Sequence, residues 1–124
     1  MNKNVSDLLV ETLVEANIQR IYAVTGDSLN HVNAAVHRNG KIKWIHVRHE
    51  ETAAYAAGAE AQLNGLACCA GSSGPGHVHL NNGLYDAHCS SASVLAIAST
   101  IPTKEFGMNY FQETNTSFPF EQHL

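Results

Sequence analysis

The chain is short of long apolar runs, of basic residues and of cysteine, and each shortage removes a class of function. A membrane-spanning helix needs about 20 consecutive apolar residues, whereas the apolar stretches here, such as 21–24 and 94–98, are strand-sized. Lys and Arg total 7 against 11 Asp and Glu, giving a formal charge of −4, and they do not cluster. A nucleic-acid surface needs a basic patch, so none is expected. The cysteines, Cys68, Cys69 and Cys89, are odd in number and include an adjacent pair, which makes a poor disulfide framework. Cys68 and Cys69 stand in an apolar run and read as small buried hydrophobes. Residues 1–5 lead into a polar-patterned helix and not into a signal-peptide core. The expectation is a cytoplasmic protein with no membrane segment. A length of 124 residues fits one domain with a modest core.

What is present is an alternation of two periods. Val5, Leu8, Leu9, Thr12, Leu13 and Ala16 recur at helical spacing. A short apolar strand at 21–24 follows, then a turn, Thr25-Gly26-Asp27-Ser28, rich in helix-capping residues. Leu29, Val32 and Val36 continue as a helix that Asn39-Gly40 closes. The unit repeats as a strand at 42–47, a helix at 50–63 ended by Asn64-Gly65, a strand at 66–70, a helix at 77–87 and a strand at 94–98. Strands alternating with helices imply an α/β fold, a parallel sheet with helices on both faces. Right-handed crossovers then bring all strand-to-helix loops to one edge of the sheet. From Gly107 onward no period survives, and 115–120 reads as loop. The domain is expected over 1–114, incomplete at its C-terminus, with a divergent tail at 115–124.

The chemistry concentrates at Arg48-His49-Glu50-Glu51, which opens the small-residue run Thr52-Ala53-Ala54-Tyr55-Ala56-Ala57-Gly58-Ala59. Carboxylates favour the first turn of a helix because they complement its dipole. A carboxylate at a strand-to-helix junction also stands where open α/β sheets bind ligands. The line Ala53, Ala54, Ala57, Gly58 and Ala61 suits close contact with a neighbour. Gly71-Ser72-Ser73-Gly74-Pro75-Gly76 could cradle an anion at a helix start, but it lacks the Walker lysine and the spacing of standard nucleotide fingerprints. No G-x-S-x-G turn supports a serine hydrolase. His77 and His79 could ligate a metal, yet no Cys or carboxylate stands near them at ligand spacing, so no metal site is expected.

The combination is more specific than its parts. Val24-Thr25-Gly26-Asp27-Ser28-Leu29-Asn30, Arg48-His49-Glu50-Glu51, Gly71-Ser72-Ser73-Gly74-Pro75-Gly76 and the run from His79 through Asn82-Gly83-Leu84-Tyr85-Asp86-Ala87 occur in that order. Together they resemble the N-terminal pyrimidine-binding domain of thiamine-diphosphate enzymes. Within these the match is best to the pyruvate oxidase group, particularly the quinone-dependent pyruvate dehydrogenases of bacteria. Tyr110-Phe111-Gln112-Glu113-Thr114 looks like that group's active-site Phe-Gln pair.

The resemblance implies the following. Glu50 matches the glutamate that hydrogen-bonds N1′ of the cofactor's aminopyrimidine and favours its imino tautomer, so that the 4′ nitrogen can take the thiazolium C2 proton. Gly26, Asp27, Ser28, Pro75 and His79 match positions beside the cofactor, and Phe111 and Gln112 match positions facing substrate. The reaction is the oxidative decarboxylation of pyruvate, with thiamine diphosphate, FAD and Mg²⁺ as cofactors. The FAD domain and the pyrophosphate domain that holds Mg²⁺ have no counterpart in these residues, so the thiamine site is partial. The chain is expected to be inactive alone and to need a homo-oligomer or a chain carrying the missing domains. A family active-site histidine falls where Ser91 stands, and the resemblance implies that the small-residue line of the helix after Glu50 faces another domain or a second copy. The alternatives are a non-catalytic α/β binding or oligomerisation module that retains the fold, or a fragment of an acetolactate synthase-like enzyme.

Overall fold

The computed structural model describes residues 3–115. Helix α1 (Val5–Glu15) opens with a reciprocal cap: the Asn4 side chain accepts the Asp7 N–H at 2.8 Å, and the Asp7 carboxylate accepts the Asn4 N–H at 3.1 Å. Strand β1 (Arg20–Ala23), a 3₁₀ turn (Asp27–Leu29), α2 (Asn30–Asn39), β2 (Lys43–His46) and α3 (Glu50–Asn64) follow. Then come β3 (Leu66–Gly71), the short α4 (Pro75–Val78), α5 (Asn81–Cys89) and β4 (Ser93–Ala98). Helices α2 and α3 end at Gly40 and Gly65, whose φ values of 71° and 95° are ones that glycine adopts without strain.

All four strands are parallel, in the order β2-β1-β3-β4. Neighbouring residues of a strand point to opposite faces: β3 is apolar on both, whereas β1 sets Ile21 and Ala23 on one face and Arg20, paired with Glu60 of α3, and Tyr22 on the other. Ile21, Ala23, Cys68 and Ala70 pack with Val10 and Leu13 of α1 and Ala35 and Val36 of α2. Cys69 and Ala67, with Tyr22 against them, pack with Ala53, Ala54, Ala57 and Ala61 of α3 and Leu84 of α5. The adjacent cysteines thus enter different cores. Burial pushes the Cys68 thiol up to about 12 and raises that of Cys69 as well, so neither is a thiolate near neutral pH.

Two expectations need correction. The small-residue line of α3 does not face another domain: Ala53, Ala54, Ala57, Gly58 and Ala61 are all buried within this one. A Cβ on Gly83 of α5 would lie 2.5 Å from the Ala54 Cβ and 2.7 Å from the Tyr55 nitrogen, and one on Gly58 would lie 3.4 Å from the Ala87 Cβ. The small side chains let α3 and α5 touch almost backbone to backbone. The helix expected at 77–87 is two helices. At the junction the Leu80 N–H bonds the His77 carbonyl three residues back, at 3.2 Å, tightening the turn.

Among the described residues no helix is long and apolar enough to cross a membrane. Of the tail at 115–124, only Asn115 lies within the described residues.

Candidate functional site

The chain leaves β1 for β2 on one side of the sheet and later crosses to β3 on the other, so the winding reverses between β1 and β3. Open α/β sheets bind ligands at such a reversal, beyond the C-terminal ends of the strands. The loops after β1, β2 and β3 meet there around a cleft of about 350 Å³. Gly26 and Asp27 come from the first loop, His49 and Glu50 from the second, and Ser72, Ser73, Pro75, Gly76 and His79 from the third. Phe111 and Gln112 join them from the segment after β4. Of the residues singled out in the sequence, seven therefore line one cleft: Gly26, Asp27, Glu50, Pro75, His79, Phe111 and Gln112.

Ser28 does not line it. Its hydroxyl lies 2.8 Å from that of Ser72 and 2.7 Å from that of Ser99, and it accepts the Ser73 N–H at 2.9 Å. Ser99 donates to the Gly71 carbonyl at 2.9 Å. A hydroxyl has one proton. Ser99 has spent its own, so Ser28 donates to Ser99 and Ser72 donates to Ser28. The Ser28 oxygen is saturated by two donors and one acceptor, and it stitches the β1 loop to the β3 loop. Gly26 belongs to the same seam, because a Cβ there would lie 2.2 Å from the Ser72 hydroxyl oxygen.

Glu50 is the first residue of α3, and its side chain is 13% exposed. One carboxylate oxygen, Oε2, lies 3.2 Å from His79 Nδ1. The other, Oε1, lies beside Gly76, where an added Cβ would be only 3.3 Å away. Glu51 points elsewhere: it accepts from the Asn82 amide on α5 at 3.1 Å. The two adjacent carboxylates are thus separated by role, one in the cleft and one tying α3 to α5. His49 caps α3, its Nδ1 accepting the Glu51 N–H at 3.2 Å, and its ring stacks on that of His79 with centroids 4.5 Å apart and 24° between planes. The sequence reading gave His49 no task. The signal for its capping role is its place directly before the first helical residue.

His77 and His79 do not form a metal-ligating pair. His79 reaches the cleft, whereas His77, two residues earlier on the same helical turn, is fully buried and bonded elsewhere. Its Nδ1 lies 3.0 Å from the Ser99 carbonyl, which can only accept, so Nδ1 carries the proton. Nε2 then accepts from the Thr114 hydroxyl at 3.0 Å. Burial pushes the His77 pKa down, only partly opposed by the Ser99 bond. This contact, with a 3.3 Å bond from the Ser73 hydroxyl to Gln112 Oε1, folds residues 111–114 back over the β3 loop. Glu113 holds the same segment by accepting the Tyr110 N–H at 3.0 Å, and backbone donors keep its carboxyl below the ordinary range. Phe111 stands at the cleft mouth, 80% exposed.

Ser91 precedes β4 in a turn with φ 53°. In a parallel sheet this is the edge opposite the cleft. The residue type at position 91 therefore says nothing about the chemistry of the cleft, contrary to the expectation from the sequence.

Residues 3–118 match the family described as thiamine pyrophosphate enzyme, N-terminal TPP binding domain. The chain is 57% identical over 98% of its length to an uncharacterised 42.6 kDa protein of Pseudomonas amyloderamosa, of which it spans 31%. It is 39% identical to a pyruvate oxidase of Lactiplantibacillus plantarum, over 86% of this chain and 18% of that one. An acetolactate synthase of Arabidopsis thaliana is 33% identical over 88% of this chain and 16% of its own length. The chain thus spans a third or less of these curated relatives. With a parallel sheet, a cleft at its winding reversal and a carboxylate on the first turn of α3, the chain belongs to the thiamine pyrophosphate enzymes, as their N-terminal TPP-binding domain.

Proposed function

We propose that this chain supplies the aminopyrimidine half of a thiamine-diphosphate active site of the pyruvate oxidase or quinone-dependent pyruvate dehydrogenase type, with Glu50 as the group that acts on the cofactor. The observation that carries this reading is the Glu50 carboxylate, mostly buried in the cleft with one oxygen bonded to His79 and the other beside Gly76. An anion held there suits a planar ring nitrogen that must carry a proton, so the residues present fit an aminopyrimidine. Bound thiamine diphosphate would supply the carbon nucleophile and electron sink for decarboxylating pyruvate. Glu50 would hold the N1′ proton and so set the ring's tautomer, while His79 fixes the carboxylate's direction. Gly26, Asp27 and Pro75 would wall the ring, and Phe111 and Gln112 would face the substrate. The greater identity to the pyruvate oxidase, 39% against 33% for the acetolactate synthase, favours oxidation over condensation.

Mg²⁺ takes oxygen ligands in near-octahedral geometry. The one cluster of three potential ligands among the described residues contains two imidazoles and does not suit it. The described residues thus offer no oxygen-ligand set for Mg²⁺, so Mg²⁺ and FAD enter the proposal only through residues outside this stretch, and no step here runs through them.

The test is a chimera in which this chain replaces the matching segment of the L. plantarum pyruvate oxidase. Pyruvate turnover and exchange of the cofactor C2 proton should both appear. Glu50→Gln should lower them by about 10²–10⁴-fold, the usual worth of a positioned acid–base group, and Glu51→Gln by far less. Equal losses, or a larger loss with Glu51→Gln, would mean that the wrong carboxylate has been assigned. The chain on its own should turn over no pyruvate, whatever cofactors are added.

A further inference from the structure

We infer that His49, Glu50 and His79 form a binding site for a borderline transition-metal dication of the zinc class, independently of any role in holding a thiamine ring. Each offers one ligand atom, and the three atoms lie within 4.8 Å of one another. Two imidazoles and one carboxylate are a donor set that suits zinc, leaving a fourth position open. Such a set is too nitrogen-rich for magnesium or calcium.

The geometry is already close to that of a site. With ligand bonds of about 2.0–2.2 Å, tetrahedral ligand atoms stand roughly 3.3 Å apart. His79 Nδ1 and Glu50 Oε2 are 3.2 Å apart. The two rings are stacked and nearly parallel, so they present their edges side by side. Both histidines are exposed, at 49% and 44% of their side chains, and can close on an ion without disturbing a core. His49 would exchange its long capping bond to the Glu51 N–H for the metal. The surroundings favour a cation. Asp27 also lines the cleft, and no Lys or Arg does. Because Glu50 serves both ligands, the metal and an aminopyrimidine should exclude each other.

Zinc binding to the full chain is measured by calorimetry without thiamine diphosphate, with Co²⁺ as a spectroscopic probe. We expect one Zn²⁺ per chain and the visible absorption of low-coordinate Co²⁺. His49→Ala, His79→Ala and Glu50→Gln should each weaken binding at least tenfold. His88→Ala, which removes an exposed histidine outside the cleft, should not. Circular dichroism checks folding, and His79→Gln replaces His79→Ala if the latter is unfolded. Unchanged binding in folded His79 and Glu50 variants, or no Co²⁺ bands, would overturn the proposal. That failure would leave the chimera's C2-proton exchange untouched, so it is distinguishable from failure of the thiamine reading.

Discussion

The two faces of the sheet are built on opposite plans. On one, Val10 and Leu13 of α1 and Val36 of α2 pack over Ile21 of β1 together with Ile18 and Ile42 at the strand starts, all of them buried branched aliphatics. On the other, α3 and α5 cover the strands mainly with alanine, and each helix has a glycine where the two approach. The first face buries more apolar surface per residue, and stability follows that area. The second gives up area for proximity. Bringing α3 and α5 together sets Glu50 at the start of one beside His79 just before the other, with Asn82 and Glu51 bonded across the gap. The aliphatic face holds the domain together, and the alanine face aims the cleft.

The sharpest way to break this comparison is to mutate each plan against its own logic. Ile21 lies on a central strand, fully buried. Ile21→Ala should cost about 2–5 kcal/mol, the range for deleting a large aliphatic from a core, measured by urea unfolding. It should leave the chimera's turnover per folded molecule nearly intact. Gly83→Ala inserts a methyl where 2.5 Å is available to the Ala54 Cβ. Overpacking should cost less, about 1–3 kcal/mol, but it should separate α3 from α5 and lower turnover in the molecules that remain folded. If Gly83→Ala lowered stability alone, or Ile21→Ala lowered turnover per folded molecule as well, the division of labour would be wrong.

The same contrast explains what the sequence made legible. Branched apolar runs between Asn39-Gly40 and Asn64-Gly65 announce strands and helix ends locally, and the parallel α/β architecture followed from them. Glu50 was legible because a carboxylate at a strand-to-helix junction has a local meaning. The alanine stripe was misread because its partner, α5, begins some thirty residues later than α3, and small residues advertise contact without naming its object. The tightened turn at Leu80, which divides α4 from α5, has no local signature, since all the residues involved are acceptable in a helix. Thr114 meets His77 across 37 residues, and Ser91 shows its irrelevance to the cleft only once the strand direction is known. In each case the deciding contact is remote in sequence.

A smaller effect sharpens the comparison at the seam between the β1 and β3 loops. Ser28→Ala removes two accepted bonds and one donated bond and leaves the Ser73 N–H without its partner. The site is only partly buried, so water can replace some of what is lost. The cost should be about 1 kcal/mol or a little more, with Gly26 and Ser72 loosened at the cleft wall. Faster amide exchange at Ser73, with little change in α1 and α2, is the expected signature. An unchanged rate at Ser73 would show that the seam does not depend on this hydroxyl.

The smallest effect belongs to His77, which couples the cleft edge to pH. Its imidazole is neutral in the fold, with Nδ1 donating to Ser99 and Nε2 accepting from Thr114. Burial depresses its folded pKa below the ordinary 6.5, so the unfolded chain binds the proton more readily. Stability therefore rises with pH through the window just below 6.5, is fully present above it, and is lost as pH falls toward the folded value. Protonation also turns Nε2 into a donor, which the Thr114 hydroxyl could meet only by reversing its own bond. Acid should thus loosen residues 111–114 first, before either core. Fluorescence of a probe at position 111, followed against backbone circular dichroism, should show the segment moving at a higher pH than the global transition. His77→Gln, which can keep a donor and an acceptor but does not titrate in this range, should abolish that separate step. If the step persisted in His77→Gln, another group would be its origin.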